Sequence, residues 1–462
     1  MVEMTVDSVP IEERKTLDNL KERVCQVMIS TEVYSTRGWL VCLGAFIGNF
    51  IALGSIYSFG VLLVPITLDF GVGRGTASWI GSTAAASMLF FAGFVGYFCQ
   101  RYGFSEVAWF GGLVVSLFQI ISSYMPNVYS MFVTYGLFVG IGFSCCFMPG
   151  SAATSQWFEK YRRLAMGIAV AGSGVGNLVF PLLIEIFLIE LTDWRSVMRC
   201  LGLIDLFLMI ICGFLLSNRF PLVSKEADLS YLRPISKDRA AWLICIFNAI
   251  VNIGFLVPSI HIVAAAEDQG VSSIESSLLL SMLGLSSTVG RVLFGWLSDR
   301  LGRKNTLVFS SFTMGISTCA WPGLALLGFP GFAVYVTIFG LVSGSIIAIL
   351  LPIIADFFGV EYLPVLSGIV FACSAFGGLI GPPLAGFLFD LTHSYLVSAL
   401  VAGGIMLGAS FITLFLPQDG THTFEGYEVI SEISITQTDS ESEEDQILKP
   451  TSPRSSKINP TA

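Results

Sequence analysis

Arg291 stands inside a long apolar run, with LLLSMLGLSSTVG before it and VLFGWL after it. Eight residues on, Asp299, Arg300, Arg303 and Lys304 crowd a short polar turn. If the run is a helix crossing a bilayer, Arg291 lies about 12 Å from that turn, near the middle of a hydrocarbon layer roughly 30 Å thick. A guanidinium there is costly to bury, always charged, and offers a planar fork matched to a carboxylate. Two uses fit. It neutralises an anionic ligand in a partly dry cavity, or it pairs with a carboxylate or backbone carbonyls of another helix. One turn earlier stands Ser287, not an acid, so anion binding is the reading carried forward.

Asp205 is the one deeply placed acid, near the middle of another apolar run. It is a candidate proton carrier, or a neutral acid held by a local hydrogen bond. His261, Glu185 and Glu267 fall toward the ends of apolar runs and read as boundary residues or as proton relays. No residue set supports catalysis. There is no phosphate-cradling loop, no Ser/His/Asp arrangement that fits one side of a membrane, and no metal-ligand cluster among three histidines. No cofactor or metal is expected.

The elements that must position these residues follow from composition. Of 462 residues, 54% are hydrophobic and 12% charged, and the mean hydropathy is +0.77. A soluble domain carries about 25% charged residues, so the chain belongs in a bilayer. Apolar runs long enough to span occur near 38–66, 76–100, 105–125, 128–156, 164–189, 196–217, 240–266, 276–298, 305–328, 331–355, 364–389 and 394–416. Backbone groups must be satisfied internally in lipid and strand-like alternation is missing, so twelve helices are expected, not a barrel. The cysteines, Cys25 apart, sit in or beside these runs with no paired spacing and read as small membrane hydrophobes.

Basic residues give the orientation. With both termini cytoplasmic, Arg101, Lys160, Arg162, Arg163, Arg219, Lys225, Arg233, Lys237, Arg239, Arg300, Arg303 and Lys304 fall on the inner side. Only Arg74, Arg195 and Arg199 fall outside. The expected organisation is a cytoplasmic segment 1–37, a six-helix half 38–217, a charged linker 218–239, a second six-helix half 240–417 and an acidic tail 418–462. The net charge of −9 is concentrated in that tail, which reads as disordered, and it points to no nucleic-acid partner. Tyr427–Ile430 and Ile447–Leu448 fit short signals for trafficking adaptors, against the simpler reading of a solvated tail. The halves repeat: Gly96-x-x-x-Gln100-Arg101-x-Gly103 recurs 199 residues later as Gly295-x-x-x-Asp299-Arg300-x-Gly302. Gly167, Gly176 and Pro181 recur 201 residues later as Gly368, Gly377 and Pro382.

The turn Gly295 to Lys304 resembles the signature loop of the major facilitator superfamily, and QWFEKYRRLAMGIAVAGSGVG (156–176) resembles a passage of its monocarboxylate transporter family. Asp356-Phe-Phe-Gly-Val-Glu361, Gly381-Pro382-Pro383, Asp390, Gly254…Pro258…His261 and Gly290-Arg291 are similar to that family as well. The resemblance covers about residues 37–417. It implies the twelve-helix facilitator fold and a transporter that moves a small carboxylate by alternating access, with a proton in symport and a single-span ancillary subunit as a candidate partner. It implies that Asp299, Arg300, Arg303, Lys304, Arg101 and Asp356 belong to the cytoplasmic gating turns. Helices 7 and 10 line the cavity in the superfamily, which brings in Asn252 and Ser343 as candidate ligands, or as polar glue between helices. Well-studied proton-coupled members carry a lysine where this chain has Tyr57 and an aspartate where it has Ser287. Tyr57 is then a hydrogen-bond donor to a carboxylate, a stacking surface for an aromatic solute, or a packed aromatic. The departures leave open a proton-independent uniporter of aromatic amino acids or other carboxylated or zwitterionic solutes. A transporter-shaped sensor or ancillary protein, signalling through the acidic tail, is the reading from another class. Substrate residues are thus expected at Arg291, Tyr57, Asn252 and Ser343, and proton-coupling residues at Asp205 and His261.

Overall fold

The computed structural model describes residues 36–158, 162–191, 193–218, 236–359 and 363–417. Most of the expected N-terminal segment and linker, and the acidic tail with both sorting patterns, lie outside the described residues. The described chain is a helical bundle. α1 runs as Thr36–Tyr57 and Phe59–Phe70, broken at Ser58, followed by α2 (Arg74–Tyr102), α3 (Phe104–Ser123) and α4 (Val128–Trp157, with a π-helical stretch Phe132–Val139). α5 (Arg162–Leu191) and α6 (Trp194–Leu215) complete the first half. The second half has α7 (Arg239–Phe255 and Val257–Asp268), α8 (Ser273–Leu301), α9 (Arg303–Ala325), α10 (Phe329–Phe358), α11 (Leu363–Thr392) and α12 (Tyr395–Leu414).

Eleven of these are long and apolar enough to cross a membrane. α9 falls short in hydropathy because it carries Ser310, Ser311, Ser317 and Thr318. Its hydroxyls are satisfied inside the bundle: Ser311 donates to the Leu307 carbonyl (2.8 Å), Thr318 to Met314 (2.9 Å), and Ser310 pairs with Ser345 of α10 (2.7 Å). A helix with its polar groups satisfied and packed between α10 and α12 can sit in lipid despite them.

The internal repeat is visible in the backbone. α2 and α3 are joined through Gly103 at φ 105°, α8 and α9 through Gly302 at φ 87°. Both angles lie where a side chain is strained, so both one-residue turns require glycine. The helix break at Ser58 has its counterpart at Leu256, where Pro258 opens the second segment of α7. The glycine rows pack within each half: Gly176 of α5 lies against Gly54 and Phe50 of α1, and Gly381 of α11 lies against Ile253 of α7. Small residues let backbones approach where lipid supplies no hydrophobic drive.

Contact between the halves is uneven along the bundle axis. At the distal end, opposite the start of α1, Asp390 of α11 accepts from the backbone N–H groups of Arg74 and Gly75 (2.9 Å each), capping α2 of the other half. Arg74 grips Asp268 of α7 with two bonds of 2.6 and 2.8 Å, reaches the Tyr395 hydroxyl at 3.0 Å, and lies 4.2 Å over the Phe389 ring. α5 and α8 close the same end, with Ser277 donating to Glu185 (3.1 Å) and Ser281 to the Leu178 carbonyl (2.8 Å). Toward the proximal end the packing loosens. A side chain placed at Gly167 of α5 or Gly295 of α8 would meet nothing within 4 Å, and Phe94, Phe98, Leu164 and Ile168 are exposed.

Candidate functional site

Arg291 reaches the interface between the halves because α8 lies tightly on α10. Gly344 of α10 faces the backbone of Ser287 and Arg291, and Gly290 faces the backbone of Leu341. With that side of α8 taken by α10, the Arg291 side chain extends toward α5 of the opposite half. There its Nη1 donates to Ser173 Oγ at 2.7 Å. Its Nε is buried without a partner. A narrow crevice with about 10 Å³ of free space, room for roughly one water, lies beside it. The first half contributes Tyr57 and Asn177; the second contributes Phe255, Ser259, Leu283, Ser287, Arg291, Phe339, Ser343 and Ile347. Tyr57 is within electrostatic reach of Arg291. No Asp, Glu or His is among the lining residues. The cavity therefore carries one fixed positive charge, hydroxyl groups, and an aromatic wall formed by Phe255 and Phe339 with ring centres 6.3 Å apart.

That is chemistry for holding an organic anion, on a fold with two related halves. The sequence model of the Major Facilitator Superfamily matches residues 45–258 and 242–429. The chain belongs to that superfamily. It is similar to monocarboxylate transporter 13 of Rattus norvegicus, 28% identical over 391 residues that cover 82% of this chain and 89% of that protein. It is also similar to the agnestins efflux protein AgnL12 of Paecilomyces divaricatus, at 29% identity with coverage of 83% and 88%. Among solved structures, a bacterial homolog of the human lysosomal transporter Spinster, in an inward-facing and unoccupied conformation, aligns with a TM-score of 0.63. That alignment covers 83% of this chain and 96% of the other at 13% identity, a likeness of fold alone. The chain is a facilitator related to monocarboxylate transporters, and the expected twelve-helix architecture holds.

Within this facilitator the structure gathers Arg291, Tyr57 and Ser343 into one cavity. It places Asn252 outside that lining: its Nδ2 donates to the Asn248 carbonyl (2.8 Å) and its Cβ side faces Gly377 of α11. Asp205 lies wholly buried in the first half, with Tyr135 and Cys146 within electrostatic reach, and neither carboxyl oxygen has a partner. His261 lies at the distal seam. Its Nε2 is 2.8 Å from the Pro382 carbonyl, which can only accept, so Nε2 carries the proton and Nδ1 accepts from the Tyr395 hydroxyl at 3.2 Å.

The proximal turn binds helices of one half to each other. Arg303 forms an ion pair with Asp356 of α10, donates to the Pro352 carbonyl (3.1 Å) and approaches Asp299 at 3.6 Å. Lys304 donates to the Leu414 carbonyl of α12 (2.9 Å) and to that of Leu416. Arg300 lies over the Trp296 ring (4.2 Å), and Arg101 lies over Tyr102 (5.6 Å). Sequence reasoning passed over Ser173, Asn177, Phe255, Ser259 and Phe339. The available signal was weak: Ser173 and Asn177 are polar residues four apart on α5, hence on one face. Arg74 counts in the sequence only as a loop cation; of its seam partners, Asp390 stands out through the family resemblance, and Asp268 gives no signal of its own.

Proposed function

We propose that this facilitator moves a small organic anion, a monocarboxylate, across the plasma membrane by alternating access, with both termini cytoplasmic. One observation carries the reading. The Arg291 side chain donates to a neutral hydroxyl of the opposite half, and among the described residues the cavity lining offers the guanidinium no carboxylate. A buried cation is held by a counter-charge or left for one, and here the counter-charge is the cargo. Binding would replace the Ser173 bond with a bidentate pair. The uneven seam supports the alternating part: the distal end is locked across the halves while the proximal end is parted, one of the two arrangements such a cycle needs. The distal end is then the extracellular one. Arg291→Ala should abolish saturable uptake of monocarboxylates with the protein still at the cell surface, and Arg291→Lys should restore little, because an ammonium lacks the fork. Normal uptake by Arg291→Ala ends this reading.

A second reading, a proton-independent uniporter for larger carboxylated solutes, draws on a specific observation. The cavity lining holds Ser287 and no titratable acid, and Asp205 and His261 both lie elsewhere. Uptake measured with and without an imposed proton gradient separates the two. Strong acid-driven accumulation would favour proton symport and direct attention to Asp205 and His261.

A further inference from the structure

Asn177 lines the Arg291 cavity from the opposite half, and its side-chain carbonyl oxygen is buried with no partner among the described residues. It is 5% exposed, it lines the cavity, and its Oδ1 has no hydrogen-bond partner. Buried polar atoms are almost always paired, and leaving one open is costly. Asn177 is held in place by α8, since its Cβ packs into the space left by Gly284.

Helix register fixes where this open acceptor lies relative to the anion anchor. Ser173, which receives Arg291, and Asn177 are one turn apart on α5, about 6 Å along the axis. From the antiparallel side, Gly284 lies seven residues before Arg291 on α8, so both helices put Asn177 on the distal side of the guanidinium. A carboxylate held by Arg291 and Ser173 thus points its chain toward Asn177. A donor roughly 4–7 Å from the carboxyl carbon reaches Oδ1, whereas an α-hydroxyl, about 2.4 Å from that carbon, falls short. The lining has no acid, so an ammonium group would enter beside a guanidinium uncompensated; an uncharged O–H or N–H would not. Phe255 and Phe339 offer the apolar surface for what lies between.

We propose that Asn177 is a specificity residue that selects organic monoanions carrying an uncharged hydrogen-bond donor at the γ position or beyond. This rests on the anion-transport reading above, and the experiment separates the two. Uptake into cells expressing the full chain is measured for butyrate, 2-hydroxybutyrate and 4-hydroxybutyrate, and for phenylacetate against 4-hydroxyphenylacetate. The wild type should favour 4-hydroxybutyrate over the other two C4 acids by about tenfold, and 4-hydroxyphenylacetate over phenylacetate similarly. Asn177→Leu, with Asn177→Ser as the milder variant, should bring these ratios to within about twofold at matched surface abundance. Equal uptake of all the acids by the wild type, with uptake abolished in Arg291→Ala, overturns the role of Asn177 and leaves anion transport standing. Ratios that survive both Asn177 substitutions overturn it too. Uptake of none of these acids, or uptake indifferent to Arg291, removes both.

Discussion

Removing the Arg74 side chain should open the distal seam. Arg74 is 17% exposed and Asp268 34%, so their pair is neither a solvated surface bridge nor a fully dry one. Exposed pairs contribute about 0–1 kcal/mol and bonds to charged groups about 1.5–3 kcal/mol. Two charge-assisted bonds, a third to Tyr395 and the contact over Phe389, discounted for that exposure, give about 2 kcal/mol for the cross-half lock. Arg74→Ala keeps the backbone N–H that Asp390 caps, so α2 still starts where it did. The distal-closed to distal-open ratio should then fall roughly 30-fold. Ser281 is fully buried in the α5–α8 contact, and Ser281→Cys reports opening by its reaction with a membrane-impermeant maleimide. In cells, over the background of the same chain without the added thiol, Arg74→Ala should raise that rate about 30-fold, and Asp268→Ala should do nearly as much. The double variant should add little, since both remove one interaction. A rate indifferent to Arg74, or two effects that simply multiply, would refute the lock.

Two further outcomes test other parts of the structure. Arg303→Ala removes the pair with Asp356 and the bond to Pro352, all within the second half; it should lower stability in detergent by about 1 kcal/mol while leaving labelling of Ser281→Cys unchanged, and faster labelling would show that the turn spans the halves. Asp205→Asn keeps the side-chain shape in a site where neither oxygen has a partner; surface abundance and the ratio of uptake at pH 6 to uptake at pH 7.5 should match the wild type, and loss of an acid stimulation present in the wild type would make Asp205 the proton carrier.

How much of this was legible in the sequence depends on whether a residue's meaning is local. The turns at Gly103 and Gly302 could be read because their requirement is local: a φ of 87° to 105° strains any residue with a side chain, so glycine is kept and the repeat survives in the sequence. Arg291 stood out because a charge in an apolar run is anomalous without any knowledge of its neighbours. Asn177 and Ser173 did not, because small polar residues in a Gly/Ala-rich helix look the same whether they hold helices together or face a ligand. What distinguishes Ser173 is an arginine 118 residues away. Asn252 shows the converse. Its helix does line the cavity, but Phe255 and Ser259 do so while Asn252 turns to Asn248 and Gly377. Arg74 was hidden for a third reason: counted as one cation among the loops, it gave no reason to look for its partners.

The two kinds of contact across the seam set the energetics of transport. A ligand shifts a conformational equilibrium only by the difference in its affinity for the two states. Arg74–Asp268 lies at the distal end, outside the cavity lining, so a cargo does not touch the arginine and leaves the lock intact on binding. Arg291–Ser173 is the opposite case: it joins the halves and, on the proposed function, is the bond that a carboxylate would take over. A cargo that engages Arg291 from one half and Ser173 and Asn177 from the other restores the bridge it displaced, whereas one that reaches only Arg291 leaves the halves less joined than before. A solute bound at about 1 mM contributes roughly 4 kcal/mol, more than the approximately 2 kcal/mol in the lock. Only the part of that free energy that differs between the two states acts against the lock, so cargo that binds both halves outweighs it when its affinities for the two states differ by more than about 30-fold, and cargo that binds one half cannot draw the halves together. On the proposed function, selection by Asn177 and the conformational cycle would depend on the same few polar atoms.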